Sequence, residues 1–183
     1  MSAKVLVCIA DGIEELESVT VIDVLRRAEA DITVASVGEL TVTASRKTKL
    51  QADKVIGDCS DEEFDLVVLP GGMPGAENLR DSPELDKILE EQKQQGRFYA
   101  AICASPAVVL RSKGLLEGKK ATCHPSMKEK MDNWQEQAVV IDGNCITSQG
   151  PGTAIEFALK LTELLFDKSK ADQIAEAMLV RRG

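Results

Sequence analysis

Short runs of consecutive apolar residues alternate along this chain with longer stretches in which apolar positions recur every three or four residues. The runs at 4–10, 32–37, 65–69, 98–102, 120–123, 138–141 and 145–148 predict strands. The periodic stretches at 15–29, 83–95, 105–112, 153–166 and 168–179 predict helices. Pro83 near the start and Gly96 just past the end bracket the second helix with the expected polarity of those breakers. Ser105 and Pro106 read as the N-cap and first residue of the third, and Thr153 as a cap for the last long helix. Residues 40–51, with the β-formers Thr41, Val42 and Thr43, predict a small hairpin insertion. No repeat, low-complexity tract or linker interrupts the pattern, so residues 1–183 read as one domain.

Strands that alternate with helices imply an α/β fold, with a mostly parallel sheet covered on both faces. Right-handed crossovers align the C-terminal ends of the strands along one rim, where ligands of such folds bind. Each candidate functional residue below comes just after a predicted strand.

Composition narrows the class. With 44% hydrophobic and 28% charged residues, the chain reads as a soluble globular protein. The net charge of −8 and the lack of a basic stripe argue against a direct nucleic-acid partner. No apolar run approaches the ~20 residues of a membrane helix. The first run is too short for a signal-peptide core and ends at Asp11-Gly12. The five cysteines, Cys8, Cys59, Cys103, Cys123 and Cys145, are odd in number and lack C-x-x-C spacing. That pattern fits a reducing compartment, with cytoplasm as the default, and offers neither a disulfide framework nor a metal site.

The segment Phe98-Tyr99-Ala100-Ala101-Ile102-Cys103-Ala104-Ser105-Pro106 is a buried strand that turns into a helix at a cysteine. A thiol there meets free N–H groups and a helix terminus, which favour thiolate over a thiol titrating near ~8.5. Such an elbow presents nucleophiles in other α/β enzymes. The alternative is a buried structural cysteine. Gly71 and Gly72, after the strand 65–69 and Pro70, permit a close backbone approach, and with the Ala104 N–H they form a candidate oxyanion hole. An ordinary Gly-rich turn has the same composition.

Glu14, Glu15 and Glu17 crowd the start of the first helix. Dipole complementation on a solvated face accounts for Glu14 and Glu15. Glu17, between Leu16 and Val19, is a candidate to point inward under the rim, where burial and a nearby thiolate raise its pKa and make it a proton donor to sulfur. His124 is the only histidine; it reads either as a base for the cysteine or as an ordinary surface residue. Cys123 points away from His124 in a regular strand and is assigned, with Cys8 and Cys145, to packing. Cys59 sits in an acidic loop that discourages its thiolate. Arg46 and Arg27 are candidate anion contacts, with surface solvation as the alternative. Ser148 lacks a second histidine to activate it.

Taken together, Glu14-Glu15-Leu16-Glu17, Leu69-Pro70-Gly71-Gly72, Ala100-Ala101-Ile102-Cys103-Ala104, His124-Pro125 and Ser148-Gln149-Gly150-Pro151-Gly152-Thr153 resemble the DJ-1/PfpI superfamily, nearest its parkinsonism-associated branch. The resemblance covers nearly the whole chain. It implies a flavodoxin-like α/β sandwich and a homodimer. It also implies Cys103 as a nucleophile that oxidises readily to sulfinate, Glu17 as the carboxylic acid bonded to that sulfur, and His124 as the nearby imidazole. The backbone amides of Gly72 and Ala104 then surround the bound oxygen. Members are described as cofactor-free glyoxalases of the glyoxalase III type, as deglycases of methylglyoxal or glyoxal adducts, and as oxidative-stress sensors and chaperones. Ala104, where other branches have histidine, argues against a protease-type triad. His124-Pro125-Ser126, in place of a His-x-Glu pair, argues against ammonia release from glutamine. Ser105 replaces the usual Gly or Ala, a change from which little consequence is expected, and Ala44 and Gln51 stand where some animal members carry further cysteines.

The expected chemistry is attack of the Cys103 thiolate on a small 2-oxoaldehyde without metal or nucleotide, with lactate as the product from methylglyoxal. A redox sensor or chaperone that works by oxidation of the same cysteine is the alternative.

Overall fold

The computed structural model describes residues 2–181. Its strands are β1 (Lys4–Ile9), β2 (Asp31–Ser36), β3 (Thr41–Thr43), β4 (Lys49–Gln51), β5 (Lys54–Val55), β6 (Leu66–Leu69), β7 (Phe98–Ile102), β8 (Val139–Asp142) and β9 (Cys145–Ser148). Its α-helices are α1 (Glu15–Arg27), α2 (Gly75–Arg80), α3 (Pro83–Gln94), α4 (Ala154–Leu165) and α5 (Lys168–Ala177).

Seven strands form one sheet in the order β5-β2-β1-β6-β7-β9-β8, and only β8 runs antiparallel to its neighbour. β3 and β4 form the separate hairpin predicted at 40–51. Strand side chains alternate between two cores, as the pleat requires. Leu6, Val67, Leu69, Tyr99 and Ala101 join one with α2, α3 and the hairpin. Val5, Val7, Val68, Ala100 and Ile102 join the other with α1, α4 and α5. The result is a flavodoxin-like three-layer α/β arrangement.

The chain winds outward from β1 to β2 and then returns to place β6 on the other side of β1. The crevice opened by that reversal lies where β1 and β6 end, the expected place for a ligand.

Three local expectations change. Residues 120–123 do not join the sheet, in which β8 is the strand beside β9. Ala121 makes one isolated bridge to Trp134, and the Thr122 N–H donates to the Thr147 hydroxyl. Ser105 is not an N-cap: its backbone is already helical (φ −64°, ψ −33°), and the segment after it, Pro106–Leu110, is a π-helical turn. Thr153 precedes α4 as expected, but its hydroxyl bonds Ser148 and Gly150 rather than capping the helix.

Candidate active site

β7 ends at Ile102, and Cys103 adopts a left-handed backbone conformation (φ +64°). An L-residue with a Cβ is strained there by roughly 1–3 kcal/mol, so neighbours must hold it. The Cys103 N–H donates to Ser148 O at 3.0 Å, and its carbonyl accepts from the His124 N–H at 2.8 Å. The Pro70-Gly71-Gly72 turn presses against it: a Cβ on Gly71 would come within 2.6 Å of Cys103 Cβ and 2.8 Å of Ile102 O. Gly72 has φ +87°, and a Cβ there would sit 2.5 Å from the Glu14 nitrogen. Glycine is required at both positions by close backbone approach. The Gly72 and Ala104 N–H groups act on the sulfur.

Glu17 is fully buried in the first turn of α1. Its Oε2 accepts from the Gly71 N–H at 2.7 Å, while Oε1 has no conventional hydrogen-bond partner. Gly71 is therefore not an oxyanion donor: its N–H is committed to Glu17. Gly72 and Ala104 remain for that role.

Burial pushes the Glu17 carboxyl up to about 7; the Gly71 N–H and Cys103 lower it, and Glu14 raises it. Burial, then the Glu17 charge, pushes the Cys103 thiol up to about 12, against the Gly72 and Ala104 N–H groups. The expectation of a thiol depressed by a helix terminus is thus corrected. Only a five-residue π-helical turn follows the elbow, and burial wins. Two interacting acids titrate as a pair. Glu17, the more acidic of the two, gives up its proton first, and the single negative charge of the pair then rests mainly on its carboxylate, with a minor share on sulfur.

Cys103 opens into a cavity of about 350 Å³ lined also by Glu14, Arg46, Met73, His124 and Met127. A larger concavity of about 620 Å³ lies between Asp86 and Leu115, on α3 and the chain after β7, away from the strand ends. Chemistry, not volume, marks the site. His124 is exposed, and its Nδ1 lies 2.7 Å from the Ser126 hydroxyl and accepts from the Ser126 N–H at 3.3 Å. An accepting Nδ1 places the neutral ring's proton on Nε2.

Glu14 and Glu15 do more than complement a dipole. Both accept from the Ser45 hydroxyl, and Glu15 also accepts from the Arg46 N–H, tying the hairpin turn to α1. Desolvation of Glu15 is outweighed by hydrogen bonds from its own N–H, Arg46, Thr48 and Ser45, which bring it down to about 2. This tether sets Arg46 at the cavity. Sequence reading missed it because the partners lie some thirty residues apart. Arg27 is not a site residue. It lies exposed in the last turn of α1, roughly 15 Å along the helix from Glu17, and pairs with Asp23 at 2.9 Å.

Cys8, Cys59, Cys123 and Cys145 are all buried, whereas Cys103 is partly open. Burial raises each of the four; for Cys59 the acidic neighbours Glu62 and Asp58 add to it. Among the described residues, no group of three or more His, Cys, Asp or Glu is placed to hold a metal ion. No helix among them is long and apolar enough to cross a membrane.

A family model described as the DJ-1/PfpI family matches residues 3–164. Protein DJ-1 homolog B of Arabidopsis thaliana is 48% identical over 180 residues, covering 97% of this chain but 41% of the plant protein. The chain thus spans less than half the length of that relative. A solved structure of oxidized Toxoplasma gondii DJ-1 superposes with a TM-score of 0.97 at 46% identity, over 99% of this chain and 100% of that one. The glutathione-independent glyoxalase DJR-1.2 of Caenorhabditis elegans is 32% identical over 173 residues, covering 92% of this chain and 91% of that protein.

Proposed function

We propose that this chain, which belongs to the DJ-1/PfpI family, is a cysteine-dependent glyoxalase of the glyoxalase III type, or a deglycase, acting on methylglyoxal, glyoxal and their early adducts. The observation that carries this reading is the strained Cys103 elbow, with two backbone N–H groups at the sulfur and Glu17 behind it. The glyoxalase among the relatives supports the same reaction class.

In this mechanism the sulfur attacks the aldehyde carbon of methylglyoxal. The C–S bond forms, the carbonyl π pair moves to oxygen, and the Cys103–Glu17 proton passes to that oxygen, giving a hemithioacetal. The Gly72 and Ala104 N–H groups stabilise the developing alkoxide, each such donor supplying up to ~3–4 kcal/mol. Glu17 and His124 move the proton from the aldehyde carbon to the adjacent one through an enediol. The sulfur-bearing carbon becomes a thioester while the ketone becomes an alcohol. Water then cleaves the C–S bond, releasing lactate and restoring the thiol. Methylglyoxal plus water equals lactate, with no external oxidant, reductant or cofactor. Arg46, whose backbone N–H is held by Glu15 and which lines the cavity, is the proposed contact for the carboxylate that forms.

Further parts of the proposal are a homodimer and a cytoplasmic site of action. Exposed Leu16 and Val19 on α1 offer an apolar surface for association, and five free thiols suit a reducing compartment. A second reading, a redox sensor, is favoured by Cys103 being the one partly exposed thiol and by the oxidized state of the Toxoplasma structure.

Product counting separates the two. Wild-type protein given excess methylglyoxal, without glutathione or added metal, is expected to form many equivalents of lactate per chain. A yield that stops at or below one equivalent overturns the enzyme in favour of the sensor.

A further inference from the structure

Ser105 is fully buried, and its hydroxyl donates to the Pro70 carbonyl at 2.5 Å. The Pro70 carbonyl and the Gly71 N–H belong to the same peptide group. The N–H end of that group donates to Glu17 Oε2 at 2.7 Å. One rigid amide plane therefore joins the serine hydroxyl at one end to the buried carboxylate at the other. We infer that Ser105 is a positioning residue that acts on the Cys103–Glu17 pair through the Pro70–Gly71 peptide, holding that peptide's N–H on Glu17 and strengthening it as a donor.

Two physical effects operate. Donation to a carbonyl polarises the amide, so its N–H becomes a better donor; chains of hydrogen bonds reinforce one another in a low dielectric. The hydroxyl also anchors the turn directly to the elbow. That contact has no slack, because Gly71 already abuts Cys103 Cβ and the Ala104 nitrogen. The Gly71 carbonyl in turn accepts from the Glu14 N–H at 2.8 Å, so the turn is fixed on the α1 side as well. A glycine or alanine at position 105 leaves the Pro70 carbonyl without this donor. The departure from the family's usual small residue, expected from sequence to be neutral, thus carries a specific electrostatic consequence.

Two titratable groups act on Glu17: Cys103 from the elbow and Glu14 from the turn before α1. α4 packs along α1 through buried Phe157, Ala158 and Leu161; its Glu156 is exposed and its Lys160 pairs with Glu163. A hydrogen bond to the charged form favours that form. Ser105 therefore favours carboxylate at Glu17, and its removal makes Glu17 hold its proton to higher pH.

The inference rests on the reading of Cys103 and Glu17 as one pair, and not on the identity of the substrate. Its test is alkylation of Cys103 by iodoacetamide across pH, followed at the Cys103 peptide by mass spectrometry, which needs no turnover. In Ser105→Ala the midpoint of Cys103 reactivity moves up by roughly half a pH unit. The plateau above it rises by about the same factor, about threefold, because the shared charge moves toward sulfur. The acid limb stays unchanged, since it reports the sulfur alone. Ser105→Thr, which keeps a hydroxyl, retains the wild-type midpoint. In a Glu17→Gln background, Ser105→Ala has no further effect, whereas a general loosening of the elbow persists there. Ser105→Gly, which adds no bulk, gives the same readings should the alanine variant not fold. Profiles that coincide for wild type and Ser105→Ala, or a serine effect undiminished with glutamine at 17, overturn the inference. Failure of the glyoxalase reading leaves all these readouts intact.

Discussion

Cys103→Ser lowers kcat/KM for methylglyoxal by about a thousandfold or more. A hydroxyl in the same place loses its proton far less readily than a thiol, and Glu17 cannot share the resulting charge as it does with sulfur. The rest of the site stays in place. The Gly72 and Ala104 N–H groups are backbone, and the Cys103 N–H and carbonyl remain bonded to Ser148 and His124. The thermal midpoint is therefore expected to move by no more than ~5 °C. Steady-state assay of both proteins, beside a thermal melt, checks this. Substitution of any of the four buried cysteines leaves the chemistry in place, because none opens into the cavity.

Glu17→Gln separates the two consequences of burying a carboxyl. Glutamine keeps the shape and can still accept from Gly71, but it neither holds nor releases a proton at these pH values. kcat falls by about 10²–10⁴, the range associated with a positioned acid–base group. The rise in activity through pH about 7 disappears with it. Stability responds in the opposite sense. The folded pKa of Glu17, about 7, lies above its ordinary value of 4.5. Between those values the folded chain holds a proton that the unfolded chain has released, so Glu17 makes the protein less stable as pH rises through that window. Once pH exceeds the folded value, the loss levels off at about 3 kcal/mol. Glutamine removes this dependence. Denaturant titrations at pH 5 and pH 8 are expected to show wild type losing stability relative to Glu17→Gln between the two.

The strands that position the site are legible in the sequence because each is a bounded apolar run. β7 stands at 98–102 as read, and β9 at 145–148. The run 120–123 has the same local signature but makes only one isolated bridge, to Trp134, and pairing of this kind is not decided by local sequence. Six-residue α2 is too short to show a period and follows a turn rich in glycine and proline. Among site residues, Cys103 and Glu17 are marked by position: one ends a buried strand, the other lies on the apolar side of its helix. Glu15, Arg46 and Gly71 acquire their roles from partners distant in sequence. Arg27 and Arg46 look alike in composition, and only the hairpin tether and the Asp23 pair tell them apart. The height of the Cys103 pKa was hidden for a related reason: helix-terminus logic is local, whereas burial under the rim is set by the packed layers.

The most direct test of the account is carbon NMR of methylglyoxal labelled at its aldehyde carbon, mixed with an equivalent of Glu17→Gln and, separately, of wild type. The account predicts a sulfur-bound hemithioacetal carbon that accumulates at Cys103 in the variant and, in wild type, passes on to the carboxyl carbon of lactate. Lactate forming in wild type, with no sulfur-bound carbon in Glu17→Gln and an undiminished lactate yield when Cys103 is replaced by serine, would contradict it.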